Sequence, residues 1–481
     1  MRQELHRHLA RFGQEHLLAG WEQLSPAEQV RFAAELRALD LPLLQQLYLE
    51  RTAEVLVETV PPDPPEIVPL PESLAAWQQW EDDRARGEER LRAGRVAIVL
   101  VAGGQGTRLG HEGPKGTYPL GPITGRSLFQ MHAEKVLALS RRYEQPLPLA
   151  VMTSLENDAA TRAYFAEQRW FGLEPQQVTF FTQGMLPALD AATGRVLLAA
   201  PGQLALSPNG HGGVLPALRD AGLLDAWEQR GIEDVFYFQV DNPLVKMADP
   251  VFLGAAARTG SEAAVKVVRK VDPEERIGLV VRRRDGRLGV LEYSELPADW
   301  ASARASDGGL RLWAGSTAIH VFALPFLQRL ARQRTVLPYH RALKVVPHLG
   351  DPAPQAANAI KFEMFIFDTL PLAERVLVME TARAEEFEPL KNAHGPYSPN
   401  SVRAALVAEF ARWIEGAGGR VPRDDAGRPS VPIEISPLYA LDAEELRGKF
   451  TRAEPITAPL WLGPDHVEPQ QGDVDDASQE A

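Results

Sequence analysis

The sequence predicts an α/β protein built on a doubly wound, mostly parallel sheet. Short aliphatic and aromatic runs recur along the chain, amphipathic helical stretches separate them, and a glycine-rich turn follows the first run directly. The expected strands are residues 96–101, 149–153, 178–182, 235–240, 263–268, 277–281 and 376–380. Helix-like stretches at 127–142, 156–168 and 213–229 separate the first four. In such a sheet, ligands bind where loops leave the carboxyl ends of strands.

Upstream of the sheet, leucines and alanines from Arg2 to Tyr48 recur at helical spacing, and Ser25-Pro26-Ala27-Glu28 offers a Ser cap with Pro at the first helical position. Six prolines between Val60 and Pro71 cannot continue a helix and predict an extended strap. Further on, Ile277 to Tyr293, with Arg284-Asp285-Gly286-Arg287 in its middle, reads as a hairpin. Beyond Glu385 one helix (401–415) stands among Pro-rich pieces. The expected division is a helical N-terminal region with its Pro-rich strap over 1–94 and an α/β domain over 95–385. A small C-terminal lobe over 386–464 and an acidic disordered tail over 465–481 complete it.

Composition narrows the classes. The 481 residues are 45% hydrophobic, enough for a large core. No apolar run approaches the roughly 20 residues of a bilayer span, and the N-terminus lacks a secretory signal, so no membrane association is expected and the cytoplasm is the expected location. With no cysteine, disulfides, thiolate metal sites and cysteine nucleophiles are excluded. A net charge of -13 argues against a nucleic-acid coat, which needs Lys and Arg to displace counterions. Monomer or weak homo-oligomer is the expected state.

The most informative stretch runs from Val99 to Gly116. A buried strand leads straight into Gly103, Gly104, Gly106 and Gly110, whose backbone can take positive φ and approach a ligand closely with its N–H groups. Arg108 and Lys115 supply cations for a polyphosphate. The spacing is neither GxGxxG nor GxxxxGK[ST]. A plain Gly-rich turn after an edge strand is the bland alternative. From His16 onward no HxH or HExxH spacing is present, and His320, His340 and His348 read as ordinary surface or core residues.

Four further stretches fall in loops after expected strands: Phe180 to Ala188 (FFTQGMLPA), Pro208 to Gly213 (PNGHGG), Gln239 to Lys246 (QVDNPLVK) and Phe387 to Asn392 (FEPLKN). With the first loop, they resemble the UDP-sugar pyrophosphorylases, most closely the eukaryotic-type UDP-N-acetylhexosamine pyrophosphorylases. The resemblance runs from about Ala97 to Asn392, including Lys266 to Glu295 and Ile360 to Asp368.

The resemblance implies a Rossmann-like sheet of the nucleotide-diphospho-sugar transferase type and a uridylyltransferase that joins UTP to a sugar 1-phosphate. Gly103, Gly104 and Gly106 would receive the nucleotide, with Gln183 and the backbone at Gly210 reading the uracil. Arg108 and Lys115 would hold the β- and γ-phosphates, and Lys391 the sugar phosphate. Asp241 would bind Mg²⁺, with Lys246 helping to balance the same phosphates. Glu292 and Tyr293 would bind sugar hydroxyls, with Phe365 and Phe367 walling the pocket. Bland alternatives are a helix cap for Gln183, a solvated Lys391, an Asx turn at Asp241 and simple core for the phenylalanines. His211 and Ser316 each stand where the acetylhexosamine group has Asn, both on the sugar side. That leaves N-acetylglucosamine 1-phosphate and glucose 1-phosphate open as partners, along with broad sugar specificity, another nucleotide, or a pocket that binds without turnover.

Overall fold

The structure, a computed structural model, describes residues 1–50, 60–333, 337–452 and 454–466. The expected acidic tail lies, past residue 466, outside the described residues. The chain forms two compact units, neither of them a continuous stretch. One comprises 1–62, 183–221 and 330–372; the larger comprises 63–182, 222–329 and 373–481.

The larger unit carries a nine-stranded sheet. Its strands are β1 (Val96–Val101), β2 (Leu149–Thr153), β3 (Val178–Thr182), β4 (Asp234–Gln239), β5 (Ala263–Arg269), β6 (Leu279–Arg282), β7 (Leu288–Leu291), β8 (Ala314–Ala323) and β9 (Val376–Glu380). The order runs β7-β6-β8-β4-β1-β2-β3, with β5 joining β8 to β9. Strands β3, β2, β1 and β4 form a parallel block, and β5 pairs parallel with β9. Inside this block β1 and β2 are near-continuous apolar runs because parallel strands there are covered on both faces; every residue of β2 is buried.

Strand β8 was not among the expected elements. It runs antiparallel to both β4 and β5, and its register shifts near Val267, where Ala318 adopts φ 57°. The bulge breaks the alternation that would advertise a strand. The hairpin expected over 277–293 is β6 and β7, paired antiparallel.

Helix α1 (Leu74–Arg92) packs against α3 (Pro250–Thr259), where Arg258 grips the buried Asp83 carboxylate at 2.8 and 2.9 Å. Helix α2 (Leu128–Arg142) buries Leu128, Phe129, Val136 and Leu139 in the main core. Past the sheet, α4 (Pro399–Gly416), capped by Ser398, and a parallel strand pair (433–435 with 460–462) enclose a small core of their own.

In the smaller unit the N-terminal helices bury Leu5, Leu9, Phe32, Leu36 and Leu44 against Leu189, Val196, Ile360 and Phe362. Behind those last residues stands a three-stranded sheet of 339–344, 359–364 and 189–190. Ser25 and Glu28 form a complete capping box at Pro26–Ala38, as the local sequence predicts. Among the described residues no helix is long and apolar enough to cross a membrane.

Candidate functional site

The chain leaves β1 at Val101 and folds back on itself. Gly106 N–H donates to Gly113 O at 2.9 Å, and Lys115 N–H to Gly104 O at 3.0 Å. The left-handed residues of this loop are Gly110 (φ 67°) and Gly113 (φ 103°). Gly103, Gly104 and Gly106 do not take positive φ, which corrects the expectation for these three. Gly104 is instead exposed, with nothing near the place of a Cβ, so its backbone is open to close approach. Arg108 is exposed on a short turn, Thr107–Leu109.

Sequence reasoning missed the residue that holds this loop. Asn157, fully buried, donates to Ala102 O at 3.0 Å and Gly104 O at 3.3 Å, while its Oδ1 accepts from Ser154 N–H at 2.8 Å. The only local signal is an Asn four residues past a strand end, the composition of many turns.

A cation and a carboxylate meet at the carboxyl ends of the strands. Lys115 Nζ lies 3.6 Å from Asp241 Oδ2 and 3.3 Å from Leu390 O, with its side chain 20% exposed. Leu390 N–H donates to Asp241 O at 2.7 Å. Lys391, next in the chain, is exposed, and its N–H donates to Tyr397 O at 2.7 Å. Lys115 and Asp241 are thus brought together, and Lys391 follows the residue that touches both. Lys246 is directed elsewhere: its Nζ pairs with Glu385 at 2.7 Å.

The turn after β4 that carries Asp241 is held from α2. Lys135, half-buried, donates to Pro243 O at 2.6 Å and Val245 O at 2.8 Å, and desolvation pushes its ammonium down to about 8. His132 Nε2 bonds Val240 O at 3.0 Å, and burial, reinforced by Lys135, pushes its imidazole down to about 3. The fold therefore keeps His132 neutral, whereas the unfolded chain protonates it below about pH 6.5. Stability is full above pH 6.5 and lost as pH falls toward 3, by about 5 kcal/mol in total. His132→Gln keeps a donor for Val240 O and cannot titrate in this range. Its acid-unfolding midpoint, followed by circular dichroism, is expected at lower pH than that of the unaltered protein. An unchanged midpoint would show that other groups govern acid unfolding.

On the hairpin side, Ser316 N–H donates to Gly278 O at 2.8 Å, and Glu292 Oε1 stands 2.9 Å from where a Gly278 Cβ would be. Glu292 and Ser316 are thus neighbours across Gly278. Tyr293, next to Glu292 in sequence, is exposed.

The remaining expected residues lie in the smaller unit. Gln183 is buried, just before the pairing of Gly184 O with Asn209 N–H at 3.0 Å. Gly210 takes φ 86°, and a Cβ there would sit 2.4 Å from Met364 O, so only glycine fits. His211 Nδ1 accepts from Ile366 N–H at 3.2 Å, which places its proton on Nε2. Its ring stacks on Phe365 (centroids 5.1 Å apart) and meets the edge of Phe367 at 5.7 Å. His340 stacks on Phe365 at 4.3 Å and bonds Asp368 Oδ2 at 2.8 Å. His340 reads from sequence as an ordinary residue; cross-strand pairing at 339–344 brings it to this stack.

An exposed glycine backbone, a lysine and a carboxylate at strand ends suit a phosphorylated ligand, and no protein nucleophile stands among them. Comparison with known proteins agrees. The family model described as UTP–glucose-1-phosphate uridylyltransferase matches residues 44–415. The chain is 36% identical to the human UDP-N-acetylhexosamine pyrophosphorylase-like protein 1, over 97% of this chain and 98% of that one. It is 37% identical to the UDP-N-acetylglucosamine pyrophosphorylase of Saccharomyces cerevisiae, over 90% and 94%. The crystal structure of the uridine diphosphate N-acetylglucosamine pyrophosphorylase of Trypanosoma brucei superposes with a TM-score of 0.82 at 28% identity, covering 97% and 99%. Likeness along nearly the whole chain leads to one assignment: the chain belongs to the UTP–glucose-1-phosphate uridylyltransferase family.

Proposed function

We propose that this protein transfers the uridylyl group of UTP to a sugar 1-phosphate, releasing pyrophosphate and forming a UDP-sugar. The observation that carries this is the convergence of Lys115, Asp241 and the Leu390–Lys391 backbone at the strand ends. An oxygen of the sugar phosphate attacks the α-phosphorus of UTP, the bond to the β-phosphate oxygen breaks, and pyrophosphate departs. Because the attacking oxygen is already ionised, catalysis reduces to alignment and charge stabilisation. Lys115 and Arg108 neutralise the departing pyrophosphate, and Lys391 steadies the incoming phosphate. The backbone of Gly103, Gly104 and Gly106 approaches the nucleotide, and Gln183 and Gly210 are assigned to the uracil edge.

Among the described residues, no group of three or more His, Cys, Asp or Glu is placed to hold a metal. Asp241 offers one carboxylate beside an ammonium. That donor set fits Mg²⁺, which keeps waters and binds through one or two carboxylates plus substrate phosphates rather than a protein cage. Mg²⁺ bound there would neutralise phosphate charge. Asp241→Asn is expected to raise the Mg²⁺ concentration for half-maximal rate by about tenfold or more while the UTP-bound melting temperature stays close to normal. An unchanged metal titration would remove Asp241 as the ligand.

On the sugar side, Glu292, Tyr293, Ser316, His211, Phe365 and Phe367 are assigned to the partner, N-acetylglucosamine 1-phosphate or glucose 1-phosphate. The names of the most similar relatives support the former. The cytoplasm is the proposed location, with the chain acting as a monomer or weak homo-oligomer. Pyrophosphate release with UTP, Mg²⁺ and a panel of glucose, galactose, N-acetylglucosamine and N-acetylgalactosamine 1-phosphates tests the reading. Release with at least one sugar is expected; UTP binding without release across the panel would overturn it, and release with another nucleotide in place of UTP would move the base assignment.

A further inference from the structure

One cavity of the larger unit is lined by none of the residues placed at the strand-end site, Lys246 being directed away from that site to Glu385. Its volume is about 330 Å³, within the range of small-molecule sites, which begins near ~300 Å³. Trp77 and Trp80, one turn apart on α1, line it together with Leu70 and Pro71 of the proline-rich strap. Lys246 and Glu385 line it as well.

The charges in this wall are already matched by the protein. Lys246 pairs with Glu385 at 2.7 Å, Lys266 with Asp249 at 2.6 Å, and Glu380 with Arg269 at 2.7 Å. Lys266 has no donor left, since Glu386 takes its other two N–H groups at 2.7 and 2.6 Å. An ionic ligand would have to break one of these pairs, so the cavity favours a neutral one.

Hydrogen-bonding capacity nevertheless remains. Lys246 uses one of its three N–H groups on Glu385, whose Oε2 makes that bond. Trp77 is 52% exposed and Trp80 half-buried, and neither indole N–H has a hydrogen-bond partner among the described residues. The wall thus presents aromatic surface beside donors and a carboxylate acceptor. A ring with an apolar face and an edge that both donates and accepts matches this combination. We propose that the cavity binds a neutral pyranose, its C–H face on the indoles and its hydroxyls on Lys246 and Glu385. Such a ligand would lie against the segments that carry Asp241 and Lys391, because Lys246 N–H donates to Glu386 Oε1 at 3.1 Å and Asn242 Nδ2 to Glu386 O at 2.8 Å.

The test is saturation-transfer NMR on the full chain with methyl β-glucoside and with N-acetylglucosamine, neither of them phosphorylated. Saturable binding of at least one is expected, and Trp77→Ala should raise its half-saturation concentration by about tenfold or more. Because Trp77 is largely exposed, the variant should fold and release pyrophosphate at the ordinary rate. Phe365→Ala, in the wall assigned to the sugar phosphate, should leave this binding untouched. Absence of saturable binding, binding indifferent to Trp77→Ala, or binding lost in Phe365→Ala would each overturn the proposal. None of these outcomes depends on the uridylyl-transfer reading.

Discussion

Lys115→Ala is expected to lower turnover by about two to three orders of magnitude, the usual cost of one lost transition-state donor. The expectation rests on where the ammonium lies. Its Nζ is 3.6 Å from the only carboxylate assigned to the metal and 3.3 Å from Leu390 O. Charge on the departing pyrophosphate grows as the α-phosphorus bond breaks, so a fixed cation there gains more in the transition state than in the ground state. The loop itself should survive the change, because the Lys115 contribution to it is a backbone N–H donating to Gly104 O. The loss should therefore appear in kcat with the melting temperature nearly unchanged. Lys391→Ala should act on the same scale, since that lysine is exposed and its anchoring contact is likewise a backbone bond to Tyr397. Near-normal turnover in either variant would remove that lysine from the mechanism.

Why Lys115 was legible in sequence while Asn157 and Lys135 were not has a physical basis. A loop that binds phosphate must place glycines and cations close together in sequence, because one short turn supplies both. Residues that hold such a loop need only be near in space. Asn157 reaches Ala102 and Gly104 from the end of the neighbouring strand, and Lys135 reaches Pro243 and Val245 from a helix more than a hundred positions earlier. The strands 96–101, 149–153, 178–182 and 376–380 coincide with the expected ones to the residue; the first two are apolar runs because they are buried on both faces. β8 escaped because it is antiparallel and bulged at Ala318.

Domain organisation was less legible still. Composition divides a chain into consecutive stretches, whereas the smaller unit is assembled from three separated ones. Its core joins Leu5 to Leu189 and Phe362, contacts that no local pattern announces. Helix α1 shows the same limit. It follows the strap yet packs on α3 in the larger unit so closely that a Cβ on Gly87 would stand 1.9 Å from Pro250 O. A glycine inside a charged helix reads locally as a defect, and only the crossing explains it.

Glu386→Ala should destabilise the protein by about 3 to 5 kcal/mol, because it strips a buried ammonium of its main partner. Glu386 is fully buried, and Lys266, 1% exposed, reaches both of its oxygens. Thr381 Oγ1 donates to the same carboxylate at 2.6 Å. In the variant, Lys266 would keep Asp249 alone, with its side chain still buried. The pair itself need not be a net source of stability, since desolvating two charges offsets much of their attraction. That distinction can be measured. Combining Lys266→Met and Glu386→Leu with Asp249→Asn removes every charge of the triad, and Asn still caps α3 in place of the Asp249 side chain that accepts from Val251 N–H. Urea denaturation should show the triple variant recovering most of the stability that Glu386→Ala loses. Turnover should not recover with it, because Glu386 also receives Lys246 N–H and so ties the turn carrying Asp241 to the segment carrying Lys391. Stability and turnover recovering together would mean that the triad does no more than hold the fold. A Glu386→Ala variant as stable as the unaltered protein would show that Asp249 alone suffices for Lys266.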